Sequence, residues 1–498
     1  MRVLIPLPIA LPLLAAGLSM ALHRRTQAQR ALGLIVLTAS LASTVALLVR
    51  VHAEGPIAVH VGGWRAPIGI TLVADLFAAV MLVVSAAMVL VVLVYSIGSP
   101  RTADHALFFH PLYLILAAGV SSSFLAGDLF NLFVAFEVML SASYVLITLG
   151  GTRDQIRSGM TYVVISLLAS TFFVTAVGLI YAATGTVNMA DLAGKVGGLP
   201  EPVRNALGLL LLVVFGIKAA IFPLFFWLPD SYPTAPTPVT AIFAGLLTKV
   251  GVYAIIRTQT LLFPSDETGS GLLLGIAVAT MVVGVLGAIA QDDVKRILSF
   301  HIVSQIGYMI MGLGLFTVAG IAGAIFYIIH HIVVKTTLFL VGGLVENATG
   351  TGALRRLGGL LHRAPLIAVL FLVPALSLAG LPPFSGFVAK LALVQAGMDA
   401  ERYFVVGASL VVSLLTLFSM TKIWAGVFWG RPEEDPPLVS ARGDGRLSAP
   451  RLMVAPTAAL VAISLAVAFA AAPLYDLSRQ AAEDLVERTP YIQEVLGP

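Results

Sequence analysis

The chain has 498 residues, 59% of them hydrophobic and only 11% charged, with a net charge of +4 and a mean hydropathy of +0.99. A soluble domain carries about 25% charged residues, so a water-facing globular surface is excluded and a polytopic membrane protein is indicated. The lack of cysteine excludes disulfides, thiolate zinc sites and cysteine-held iron–sulfur clusters, and no Lys/Arg run exceeds two residues, which excludes a nucleic-acid surface.

A helix needs about 20 apolar residues to cross the hydrocarbon core. On that basis fourteen spans are predicted in chain order: 3–22, 31–51, 70–96, 109–126, 128–149, 159–183, 205–229, 237–259, 271–290, 297–316, 318–345, 366–396, 402–428 and 452–473. Strands are excluded because the runs are too long and lack alternation. The first span reads as a retained helix rather than a signal peptide, since Arg2 alone precedes it while His23, Arg24 and Arg25 follow. With that span entering from outside, the cytoplasmic loops hold 16 lysines and arginines and the opposite loops six, as the positive-inside rule requires. Both termini are then outside. Arg257 is counted with the outer loops and Lys295 with the cytoplasmic ones. Asp75 and Asp128 fall near span ends, where a helix N-terminus accommodates an anion. The last 25 residues mix Asp476, Glu483 and Asp484 with Leu477, Leu485 and Val486, which predicts an amphipathic surface segment.

Four lysines remain inside apolar spans: Lys218, Lys249, Lys335 and Lys390. Insertion scales set a central lysine at about 2.5–3.5 kcal/mol. Lys218, Lys249, Lys335 and Glu137 all fall near mid-depth of their spans. Groups at one depth on different helices cannot line a pore straight through the membrane, but they can form a row in its plane, with steps of about 8–10 Å between helices. Such a row needs smaller polar groups or water between its members. His301, His330, His331, Ser304, Gln305 and Thr248 are the candidates, with Asp75 a further supporting acid. Fixed ion pairs do not explain the set, because one central carboxylate cannot neutralise four lysines. Desolvation disfavours a buried ammonium and a nearby carboxylate restores it. A lysine that alternately gains and loses such a partner therefore takes up and releases a proton.

Prolines interrupt two of these spans, in Lys218-Ala219-Ala220-Ile221-Phe222-Pro223 and in Gly380-Leu381-Pro382-Pro383-Phe384-Ser385-Gly386 ahead of Lys390. Interior prolines break helices, and in a membrane the freed carbonyls are tolerated only where buried or lining a wet cavity. Paired broken helices mark midplane sites in repeat-built transporters. The chain accordingly divides into a three-span region (1–108), a five-helix unit (109–259), a second and inverted five-helix unit (271–428), and a last span with its tail (452–498). Lys218 is matched to Lys390 and Glu137 to His301.

At these residues the sequence resembles the antiporter-like subunits shared by Mrp-type cation/proton antiporters and respiratory complex I, over nearly the whole chain. Gly127-Asp128-Leu129-Phe130-Asn131-Leu132-Phe133, Phe136-Glu137-Val138 and His301-Ile302-Val303-Ser304-Gln305-Ile306-Gly307-Tyr308 are most similar to the Mrp D-type group. The resemblance implies a hetero-oligomeric complex in the cytoplasmic (inner) membrane, exchanging Na⁺ (in some systems K⁺ or Li⁺) for protons. It also implies a Glu137–Lys218 pair coupled through Lys249 toward Lys390. No metal and no cofactor is expected in this chain, and the cation is expected to bind mainly elsewhere in the complex. Two other readings stand beside this one: a proton-pumping subunit of complex I or a membrane-bound hydrogenase, and a scaffold whose buried charges only fix packing. An enzyme is disfavoured, because no phosphate-binding loop, paired-histidine metal motif or nucleophile elbow occurs.

Overall fold

With no water in the hydrocarbon to satisfy the backbone, each apolar run must bond within itself as a helix. The computed structural model describes residues 2–99, 106–264, 267–431 and 449–497; the loop residues Arg101, Arg442 and Arg446 lie outside them. Helices α1 (Leu7–Ala21) and α2 (Thr26–Glu54) lead into a hairpin of β1 (Ile57–His60) and β2 (Thr71–Ala74). Then come α3 (Leu76–Gly98), α4 (Ala106–Leu125), α5 (Leu129–Thr148), α6 (Arg153–Thr184), the short α7 (Met189–Lys195), α8 (Glu201–Ala219) and α9 (Trp227–Ser231). The chain continues through α10 (Thr237–Leu261), α11 (Glu267–Ile289), α12 (Val294–Gly314) and α13 (Val318–Thr349). It ends with α14 (Pro365–Ala379), α15 (Ser385–Asp399), α16 (Tyr403–Trp429), α17 (Arg451–Phe469), α18 (Ala471–Val486) and α19 (Thr489–Leu496).

Among the described residues twelve helices are long and apolar enough to cross a membrane; α1 and α14 are shorter apolar helices that fall on the first and twelfth of the fourteen expected spans. One expectation is corrected and two are made specific. The third span was expected to start at residue 70, but Thr71–Ala74 is a strand paired with Ile57–His60, so strand structure does occur, at the start of that span. The seventh and twelfth spans are each two pieces, as their prolines dictate. The expected amphipathic tail is helical and docked, with the Glu494 carboxylate accepting from Ala58 N at 3.1 Å and the Arg488 guanidinium donating to Leu261 O at 3.2 Å.

Helices α10 and α13 run through the middle of the bundle: every residue from Thr237 to Leu261 and from Gly320 to Val345 is buried. A helix that is apolar on all sides belongs in a core, and Lys249 and Lys335 sit on these two. Residues Phe243–Leu247 of α10 form a π-helical turn, a local widening often found at functional positions.

Caps recur at a constant spacing of 165 positions. Asp128 and Asp293 cap α5 and α12, accepting from Asn131 N at 2.6 Å and Arg296 N at 3.0 Å. Thr152 and Thr317 cap α6 and α13, which both run 32 residues and end on left-handed glycines, Gly185 (φ 73°) and Gly350 (φ 77°). After each, a Thr-Gly-Thr turn folds the same way: Thr184 and Thr349 donate back to Ile180 O and Val345 O at 2.7 and 2.8 Å. The breaks match at a spacing of 160, with Ala220 (φ 60°) and Gly380 (φ 87°) in the left-handed region. In this register Glu137 falls opposite Ile302, so matching it to His301 was one residue out. Lys218 precedes its break by two residues and Lys390 follows its own by ten, placing the two lysines on opposite arms.

Candidate functional site

The buried lysines are held by carbonyls and hydroxyls. Among the described residues none of the four makes an ion pair with a carboxylate. Lys218, in the last turn of α8, donates to Ser166 O at 3.1 Å and lies 3.4 Å from Ser170 Oγ. The same Ser170 hydroxyl donates to Glu137 Oε1 through a short bond. The direct Glu137–Lys218 pair expected from the sequence is thus a three-member chain, with a hydroxyl of α6 between the charges. Phe136, Phe173 and Phe215 cluster beside it, their ring centres 5.0–6.1 Å apart, with Phe173 edge-on to the other two, and a cavity lined by Tyr162, Ser166, Lys218 and Trp227 opens next to it.

The break after α8 is stitched from outside. Phe222 N donates to Thr280 Oγ1 of α11 at 3.0 Å, and the Trp227 indole donates to the Ile217 carbonyl, also at 3.0 Å, a carbonyl that accepts from Ala220 N as well. The corresponding break between α14 and α15 is closed by Ser377 and Ser385, 3.2 Å apart. His330 Nδ1 lies 2.9 Å from Ser385 Oγ. Lys390 reaches back across this break to donate to Ala379 O at 3.0 Å, where the C-terminal end of a helix favours a cation. Its ammonium also sits 5.0 Å from the centre of the Tyr308 ring, a cation–π contact.

On the central helices, Lys249 donates to Ala244 O, inside the π turn, and to Thr248 Oγ1 at 3.2 Å. Lys335 donates to Leu298 O at 3.0 Å. Gln305 accepts from the Tyr327 hydroxyl, and Tyr327 stacks on Tyr308 with ring centres 5.2 Å apart. Tyr308 is the ring that faces the Lys390 ammonium, so Gln305, Tyr327 and Tyr308 stack toward that lysine. His301 Nε2 meets Ser419 Oγ of α16 at 2.9 Å. His331 is buried with neither ring nitrogen partnered by protein among the described residues, and its charged neighbours are Lys249 and Lys335. Ser304 does not join this stack: its hydroxyl donates to Met281 O at 3.0 Å, where Gly284 brings α11 against α12.

Two basic residues placed in loops by the sequence are buried instead. Arg257 forms a bidentate pair with Asp75, at 2.5 and 2.7 Å, and lies over the rings of Phe77, Tyr253 and Tyr491 at 5.2–5.9 Å. Asp75 also caps α3, accepting from Ala78 N at 2.9 Å. It therefore ties α3 to α10 and α19 and is no neighbour of the lysine row. Asp128 is a cap as expected. Lys295 pairs with Glu346 at 2.7 Å.

Sequence reasoning missed Ser170 and Ser166 because serine is common in packed helices. The repeated Thr-Gly-Thr turn supplies the signal. Counted back from it at a spacing of 165, Tyr162 meets Tyr327, Ser166 meets His331, and Ser170 meets Lys335, so the serines stand where the second half carries its ionisable side chains. Among the described residues no cluster of His, Cys, Asp and Glu is suited to a metal ion.

Residues 126–416 match the model of the NADH:quinone oxidoreductase/Mrp antiporter transmembrane family. The chain is 45% identical to the D-type subunit of the Na⁺/H⁺ antiporter of Alkalihalophilus pseudofirmus over the whole of both chains. It superposes on a chain of the Mrp complex from a Dietzia species with a TM-score of 0.93 and 36% identity, again over all of both. A chain of the membrane-bound sulfane sulfur reductase, an archaeal respiratory membrane complex, matches with a TM-score of 0.92 at 27% identity and full coverage.

Proposed function

The chain belongs to the NADH:quinone oxidoreductase/Mrp antiporter transmembrane family, and from that membership we propose that it is the proton-translocating D-type subunit of a multisubunit Na⁺/H⁺ antiporter. The observation that carries the reading is the Glu137–Ser170–Lys218 chain: a carboxylate and an ammonium, both inside the bilayer span, joined through one hydroxyl able to accept from one and donate to the other.

In this reading a proton reaching Glu137 weakens its hold on the Ser170 hydroxyl, and Lys218 loses the carboxylate that stabilised its charge. Lys218 then releases its proton toward Lys249, and His331 and Lys335 carry the charge shift on to Lys390. No covalent bond to carbon changes, and each donor is reset by the next proton. Pro223, Pro382 and Pro383 open the backbone at the two breaks, so that Lys218 and Lys390 have carbonyls to exchange between. Residues 109–259 and 271–428 act as two related units, consistent with the caps repeated at 165 positions. Protons enter down their gradient and the charge displacement drives Na⁺ outward, with the membrane potential contributing about 2.3 kcal/mol per charge per 100 mV.

The chain functions in the cytoplasmic membrane beside other antiporter subunits, with its basic loops facing the cytoplasm. The similarity to an archaeal respiratory subunit favours a redox-driven complex less strongly, since the D-type Na⁺/H⁺ antiporter relative is 45% identical end to end. The experiment is co-purification of the intact complex followed by exchange assays with Na⁺, K⁺ and Li⁺ in vesicles. Exchange with Na⁺ that is lost in Glu137→Ala supports the proposal. A complex that exchanges none of the three, and carries a redox enzyme instead, overturns it.

A further inference from the structure

Among the described residues a buried ion pair lies outside the in-plane row, near the ends of two helices. Lys295 and Glu346 meet at 2.7 Å between the first turn of α12 and the last turns of α13, with side-chain exposures of 4% and 14%. Solvent lies within a residue or two of both, yet both turn inward, at a desolvation cost that a surface pair avoids. Glu346 and Lys335 are eleven positions apart on α13, which returns to the same face after three turns, about 16 Å away.

Between them that face carries Leu338, Phe339 and Gly342, and hydroxyl groups stand along its flank. At Gly343 an added Cβ would lie 2.2–2.8 Å from Thr237 and the Tyr95 hydroxyl, so both side chains rest directly on the α13 backbone. The Tyr95 hydroxyl donates to Leu340 O at 3.0 Å. At Gly342 an added Cβ would meet only Val294 Cγ1, at 3.6 Å, leaving room for a side chain next to the first turn of α12. Further along, the Thr336 hydroxyl is fully buried and has no hydrogen-bond partner among the described residues. It abuts Gly245, in the same π turn whose Ala244 carbonyl holds Lys249.

We propose that the Lys295–Glu346 pair is the mouth of a proton route, lined by Tyr95, Thr237 and Thr336, that joins the central lysines to water on the side of the basic loops. This rests on the relay reading above and adds its cytoplasmic opening. A proton leaving Lys335 or Lys249 passes over these hydroxyls to the Glu346 carboxylate and displaces Lys295. It is then lost to water, and the ion pair re-forms, so one proton leaves and both groups end as they began.

Because the chain contains no cysteine, an introduced thiol is the sole labelling site in this subunit. Gly342→Cys in the assembled complex is treated with a membrane-impermeant trimethylammonium-ethyl methanethiosulfonate from either side of oriented vesicles. Labelling from the basic-loop side alone is expected. Glu346→Gln is expected to slow exchange at least tenfold, with recovery in Glu346→Asp. The double variant Lys295→Met/Glu346→Met removes both charges of the pair; it is expected to assemble and still be slow. Failure of Gly342→Cys to label from that side overturns the proposal, as does a double variant exchanging at the wild-type rate. Should Lys218→Ala also exchange at the wild-type rate, the relay reading falls; with Lys218→Ala inactive, only the mouth is disproved.

Discussion

Replacing Ser170 with alanine removes one oxygen and leaves every charge in place. That hydroxyl bonds Glu137 and lies 3.4 Å from Lys218 Nζ, while Lys218 keeps its second acceptor, Ser166 O at 3.1 Å. A hydrogen bond to a charged group contributes about 1.5–3 kcal/mol. If the hydroxyl carries the proton-coupled exchange between the two charges, losing one such bond at the barrier slows transport about 10- to 100-fold, at roughly 1.4 kcal/mol per decade. Ser170→Thr keeps the oxygen and should transport close to the wild-type rate. The assay is Na⁺-driven alkalinisation of proteoliposomes carrying the purified complex, normalised to the amount of assembled protein. A wild-type rate in Ser170→Ala, alongside loss of activity in Glu137→Ala, would refute the bridging role of the hydroxyl.

Other outcomes follow from the end of the bundle where the C-terminal helices dock. Arg257→Met strands the Asp75 carboxylate among the rings of Phe77, Tyr253 and Tyr491; breaking a buried pair costs about 3–5 kcal/mol, read as a lower thermal midpoint of the detergent-solubilised complex. Asp484, on the amphipathic α18 outside the spans, is pushed up to about 6, first by burial and then by Asp75, Glu483 and Glu487, with Arg257 opposing. Since its folded value lies above the usual carboxylate range, the stabilisation is complete at acid pH and is lost as pH rises through about 6. The effect is small because the group is half-exposed and screened. Hydrogen exchange across α18, corrected for its intrinsic pH dependence, should be faster at pH 8 than at pH 5, and Asp484→Asn should abolish the difference.

How far the sequence leads depends on what each residue must satisfy. Apolar length alone locates the spans, since lipid leaves the backbone no alternative, and the prolines at 223, 382 and 383 locate the two breaks. Charges in the middle of apolar runs locate Lys218, Lys249, Lys335 and Lys390. Near span ends the same logic fails: Arg257 and Lys295 could each snorkel to water, and only the fold shows that Asp75 and Glu346 draw them inward. Hydroxyls are harder still, because Ser170 and Thr336 cost little to bury, and Ser170 stands out only once the 165-residue repeat sets it against Lys335. Their roles emerge from which helices bring them to a charge. Register is intermediate: the Thr-Gly-Thr turns fix it at 165 positions, one residue from the spacing that matching Glu137 to His301 suggests.

The account stands on Lys218 exchanging a proton inside the bilayer, and Lys218→Met tests this most directly because it keeps the length and apolar stem of the side chain while removing its charge. Proteoliposomes containing the purified Lys218→Met complex are given a Na⁺ gradient, and internal pH is followed with a trapped dye. The account predicts an intact complex with no Na⁺-dependent pH change. A pH change of wild-type rate and extent would mean that the buried charges only pack helices together.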